Sequence, residues 1–282
     1  MTEDQVKGCR LPVTFHQSFI MERQNVASLL KFVASGQGGT DQDISKQTGI
    51  PVGRSSGKVP ATINYCIGMG LIEFPQKNGQ GKKTFELTPF GRVVLLEDNN
   101  LSENLTQWLA HLHLCRKKNG AEIWYLAFTE GYKTLGMSFT EKNLKEFIER
   151  YCGKRNRSPL GPLIRTYEET AGLRLASVLE RGPSGFVRAH APILGSFRNG
   201  YSALFLSLWD EYFPEDRQVT VTNFGSVCFQ EMCGWNERQY EIALDLIQEA
   251  GAFTIDKQMR PWVLTRSAES KLFWSTLYDE LA

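Results

Sequence analysis

The sequence has no C-x-x-C pair among its six cysteines, no run near the roughly 18 apolar residues of a membrane span, and a net charge of only +1. Each absence removes a class of protein. Cys9, Cys66, Cys115, Cys152, Cys228 and Cys233 lack zinc-ribbon spacing, and several fall on apolar helix faces, so buried reduced thiols are expected rather than disulfides. Thr2, Glu3 and Asp4 begin the chain without a basic-then-apolar signal pattern, so a cytoplasmic protein with no membrane association is expected. Near-neutrality means that any nucleic-acid surface must be a local patch. H-E-x-x-H is also missing. The segment GRSSGKV at 53–59 is not a phosphate-binding loop, because three residues rather than four separate its glycines and Val59 follows Lys58.

What remains is an ordinary globular composition, 41% hydrophobic and 22% charged over 282 residues, enough for two or three cores. The chain uses one layout twice. Val26, Leu29, Leu30 and Val33 recur at helical spacing over 23–34, and Ser35 to Gly39 break the helix. Thr40 and Asp41 open a short helix, and a third helix begins near Ser56 with Pro60 in its first turn. A ribbon, FPQKNGQGKKTFELT, follows at 74–88, with Asn78-Gly79 as its turn. Later, helices at 201–213 and 236–250 precede a second ribbon, FTIDKQMRPWVLT, at 253–265. Helices followed by a hairpin are the pattern of a winged helix, whose third helix commonly enters the major groove. The expected fold is mainly α with small β wings: winged-helix-like units at 1–96 and 183–282 flank a helical middle domain at 99–182.

Several surfaces are candidates for chemistry. The amides of the helix start near Ser56, with Arg54, Ser55 and Lys58, suit a DNA phosphate, and Lys77, Lys82 and Lys83 extend that basic side; a plain capped turn is the alternative. With Val59, Ile63, Cys66 and Ile67 as the apolar face, Thr62 and Tyr65 face outward and are the candidates to read bases. Lys154, Arg155 and Arg157, beside Arg150 and Arg165, form the densest basic run and read either as a backbone-tracking patch or as a solvated loop. His16, Glu22 and Arg23, set between Phe15 and Phe19, are the catalytic candidates: one group moves a proton while another stabilises charge on phosphate oxygen. A packed structural histidine is the competing reading. Glu237, Glu241, Asp245 and Glu249 make an acidic stripe that would repel a phosphate backbone, and it reads as a solvated face, a docking face or a metal site.

TFHQSFIMERQ, then SSGKVPATINYCIGMGLI, then LTPFGRVVLLEDNNLSENLTQWLAHLHL, together spanning 15–114, resemble a bacterial family encoded beside DNA-phosphorothioation genes. That family includes the nicking subunit, component B, of the single-strand phosphorothioation defence system. Its members commonly open with Gly-His-aromatic where this chain has Phe15-His16-Gln17. The resemblance implies a nickase that cuts one strand of duplex DNA so that a non-bridging oxygen can be replaced by sulfur. The implied partners are a cysteine desulfurase, an ATP-pyrophosphatase-like sulfur transferase and an ATPase, and Mg²⁺ is the expected ion at the scissile phosphate. Two other readings stay open: a non-catalytic DNA-binding adaptor for those enzymes, and a transcriptional regulator.

Overall fold

The structure is a computed structural model that describes residues 10–52, 57–77, 82–153 and 159–281. It is mainly helical with small antiparallel sheets, and it divides into two compact units, one through Ala189 and one from His190. No helix among the described residues is long and apolar enough to cross a membrane.

In the first unit, α1 (Arg23–Ala34) takes the bounds its periodicity implies and buries Val26, Leu29, Leu30 and Val33. Thr40, rather than Asp41, caps α2 (Asp41–Thr48): its hydroxyl accepts from the Asp43 amide while the Asp43 carboxylate accepts from the Thr40 amide. Helix α3 (Lys58–Gly68) starts with Gly57 at its N-cap, and Pro60 is accommodated in the first turn. The ribbon follows as β1 (Gln76–Lys77) and β2 (Lys83–Thr84), and Gly39 bridges antiparallel to Lys83. Glycine at position 38 permits this approach, because a Cβ there would lie 2.7 Å from the Lys83 carbonyl oxygen. Two further helices, α4 (Pro89–Glu97) and the almost wholly buried α5 (Asn104–Leu114), lead to a π-helical turn at Tyr125–Glu130. Then come β3 (Ser138–Phe139), α6 (Glu141–Cys152), capped by Thr140 as its sequence implies, and α7 (Leu160–Glu168). A three-stranded antiparallel sheet of order β3-β5-β4 closes the unit, with β4 at Leu179–Gly182 and β5 at Gly185–Arg188. Thus the Gly- and Pro-rich stretch 182–200, which reads as a loop or a short strand, supplies the central strand of a sheet at 185–188.

The second unit begins with α8 (Arg198–Tyr212) and continues through β6 (Gln218–Thr220), α9 (Val221–Phe224), α10 (Phe229–Met232) and α11 (Glu237–Glu249). A hairpin, β7 (Phe253–Asp256) and β8 (Val263–Arg266), and α12 (Ser270–Ser275) complete it. The sheet order is β6-β8-β7, so the strand after the first helix pairs with the last strand of the hairpin. Gly39 pairs with β2 in the same relation in the first unit. The core is aromatic: Phe205 stacks on Phe224 at 3.9 Å and meets Phe229 and Phe253 edgewise or tilted.

Candidate functional site

The segment before α1 turns sharply, with Gln17 and Ser18 at positive φ, and tucks the His16 ring into the core at 3% exposure. Its Nδ1 accepts from the Ser18 amide at 3.1 Å. Burial lowers its pKa to about 4, opposed in part by the Pro159 backbone, so the ring is neutral at physiological pH. Its Nε2 has no hydrogen-bond partner of good geometry among the described residues.

Arg23 and Glu22 do not join it in one constellation. The Arg23 guanidinium clamps backbone carbonyls, at 2.8 Å to Thr170, 3.3 Å to Asn100 and 3.5 Å to Leu101. It lies at the wall of an open depression of about 470 Å³ that Glu22, Ser102 and Ala171 also line. Glu22 accepts from Asn25 at 2.9 Å and pairs with Lys58 at 2.5 Å. The Glu22 carboxylate and both terminal nitrogens of Arg23 are thus engaged with protein.

Two lysines of the expected DNA face are engaged as well. Lys58 is held by Glu22, and Lys83 pairs with Asp41 at 2.7 Å. Lys82 acts on Asp43, whose carboxyl is held below its ordinary value first by the Thr40 backbone and hydroxyl hydrogen bonds. Lys77 lies in β1, opposite Lys83. Arg54, Ser55, Ser56, Lys154, Arg155 and Arg157 lie outside the described residues.

Thr62 and Tyr65 correct the sequence reading, because neither faces outward. Thr62 is 6% exposed and Tyr65 1%. The Tyr65 hydroxyl donates to the Phe19 carbonyl at 3.0 Å, and its ring meets Phe15 and Trp124 edge-on. Burial pushes its pKa up. The physical reason is that α3 packs on two sides. One side meets α1, and the other is covered by the 15–19 segment and Trp124. A single apolar stripe accounts for only the first.

In the second unit the acidic stripe of α11 is partly neutralised by the hairpin. Asp245 pairs with Lys257 at 2.6 Å and Glu241 with Arg260 at 3.1 Å. Both cations lie 4.8 Å from the centre of the Trp262 ring. Beside them opens a cleft of about 480 Å³, with Glu237, Tyr240, Leu244 and Trp262 in its lining. Among the described residues no group of three His, Cys, Asp or Glu is placed to hold a metal ion. The described donor set therefore does not fit a protein-built Mg²⁺ site.

A buried polar cluster in the first unit carries no sequence motif. His111 Nδ1 lies 2.6 Å from the Tyr167 hydroxyl, which also accepts from Trp124 Nε1 at 2.8 Å. Burial, with a smaller contribution from Arg188, lowers the His111 pKa to about 3. Arg188 itself is 3% exposed, and among the described residues none of its three guanidinium nitrogens has a hydrogen-bond partner. Stripping such a charge of water costs several kcal/mol. The faces of Phe139 and Phe128, at 4.8 and 5.9 Å, return about 2 kcal/mol of that. The sequence signal was the alternation that puts Phe186 and Arg188 on one face of a strand.

Residues 60–161 match the family described as protein of unknown function, DUF4007. No curated protein matches the chain. Among solved structures, the magnesium ion-bound crystal structure of SspB superposes with a TM-score of 0.68 at 17% identity. A second SspB crystal structure gives 0.66 at 15%. In both cases 95% of this chain and 88% of the other are covered. The chain has the fold of SspB.

Proposed function

We propose that this protein is a DNA-binding component of a DNA-phosphorothioation system and that it nicks one strand of duplex DNA. The observation that carries the reading is the fold shared with SspB over 95% of the chain. The resemblance of 15–114 to the family that includes the nicking subunit of that system points the same way. In this reading the unit through Ala189 combines a winged helix within 1–96 with the helical segment 99–182, and the unit from His190 holds a second winged helix. The recurring strand relation, Gly39 to β2 and β6 to β8, supports the repeat. DNA would meet the first copy at the start of α3 and at the ribbon that carries Lys77, Lys82 and Lys83. Base reading by α3 is not part of the proposal, because the helix is buried. Magnesium is bound in one SspB structure, and here the ion would be held together with DNA phosphates rather than by a protein cage. A cysteine desulfurase, an ATP-pyrophosphatase-like sulfur transferase and an ATPase are the proposed functional partners.

A second reading, a non-catalytic adaptor, is favoured by one observation: Glu22 and Arg23 are committed to structural partners and His16 is enclosed. Supercoiled plasmid incubated with the pure protein, with Mg²⁺ or with EDTA, separates the two. Metal-dependent open circles support the nickase; DNA bound but never cut across metals and salt concentrations supports the adaptor.

A further inference from the structure

We propose that Arg188 anchors a buried site for a small monovalent anion of the halide class in the core of the first unit. The guanidinium offers five N–H donors, and none meets an acceptor among the described residues. No carboxylate pairs with it among the described residues, and it is enclosed at 3% exposure. The groups that bear on it electrostatically are the Cys115 thiol, the Tyr132 phenol and the His111 imidazole. Burial keeps the Cys115 thiol and the His111 imidazole uncharged, so these two complement an anion rather than replace one. Burial drives the Cys115 thiol well above its ordinary value and holds His111 uncharged, which leaves Arg188 as the one formal charge in the cluster. The Phe128 and Phe139 faces flank the guanidinium at 5.9 and 4.8 Å, so the occupant that would balance its one positive charge is a small anion.

A second observation points to the same place. Phe128 stands on the π-helical turn Tyr125–Glu130, and the neighbouring Thr129 hydroxyl donates to the Cys115 carbonyl at 2.8 Å. Single π-helical turns are rare and recur at functional sites. Here the widened turn brings an aromatic face over the guanidinium, while β5 holds Arg188 from below through its amide bond to the Met137 carbonyl at 2.9 Å. A DNA phosphate is excluded as the occupant, because it arrives on a polymer and the guanidinium has no open face.

The test uses the whole chain. Crystals soaked in bromide should show an anomalous peak in hydrogen-bond contact with Arg188. Only ordered water at that position, or bromide confined to the surface, overturns the proposal. In parallel, thermal melts at constant ionic strength should rise when chloride or bromide replaces gluconate, following the mass action of a ligand that binds the folded state alone. Arg188→Met should abolish that halide-specific rise; an unchanged rise in the variant overturns the assignment. If Arg188→Met does not fold, Arg188→Lys keeps the charge with fewer donors and should weaken the halide response severalfold, and the anomalous peak in the wild type decides.

Discussion

Lys58 Nζ and Glu22 Oε1 lie 2.5 Å apart, joining the first residue of α3 to the residue that precedes α1. The lysine best placed at the helix start to meet a DNA phosphate is therefore held by a carboxylate of the same chain. Any DNA that engages it must compete with that carboxylate.

Glu22→Gln should raise affinity for all duplex sequences severalfold, since a partly exposed ion pair of this kind is worth about 0.2–1 kcal/mol. Lys58→Ala should lower affinity and reduce the slope of log K against log salt by about 1. Fluorescence anisotropy across a salt series reads both, and an unchanged slope in Lys58→Ala removes this lysine from the interface.

Tyr65→Phe should cost about 1 kcal/mol of stability, the usual worth of a buried hydrogen bond, through loss of its contact with the Phe19 carbonyl. Sequence preference on DNA should not change, nor should it in Thr62→Val. Urea unfolding and competition binding check the two halves; a changed base preference would put α3 back in the groove.

Acid should unfold the protein steeply. His16 has a folded pKa of about 4 against about 6.5 unfolded, so the unfolded chain takes up the proton first. Its contribution is fully present above pH ~6.5 and is lost as pH falls towards 4, on the order of 3 kcal/mol. His111, lowered to about 3, and His113, also lowered by burial, act in the same direction. His16→Gln should reduce the slope of stability against pH in that window by about one third, one proton of three, in denaturant titrations from pH 4 to 7.5.

Gly38→Ala should weaken the ribbon. The new Cβ meets the Lys83 carbonyl oxygen and Thr84 Cγ2 at 2.7 and 2.8 Å, and such overpacking costs about 1–3 kcal/mol. Hydrogen exchange at the Gly39 and Lys83 amides, which bond across this bridge, should speed up while α11 of the second unit keeps its protection.

The legible parts of this protein are those set by neighbours in the chain. Helix α1 follows from the spacing of Val26, Leu29, Leu30 and Val33, and α6 from its Thr140 cap. Asn236 caps α11 in the same way, through a reciprocal bond with Gln239. Strands form within both expected ribbons, while Asn78-Gly79 lies outside the described residues. The catalytic candidates were visible only as residue types. His16 and Arg23 stand seven positions apart, yet one enters the core while the other clamps the 100–101 and 170 carbonyls, a choice that local spacing does not encode.

Sequence alone determined helices such as α1, α6 and α11, because periodicity and caps act over a few residues. Tertiary structure decided which faces are open. Tyr65 is buried by Phe15 and Phe19, Lys58 is neutralised by Glu22, and Arg188 is enclosed by Phe128 and Phe139. Those partners lie tens of residues away, and burial or charge pairing at such separations exists only once the chain has packed.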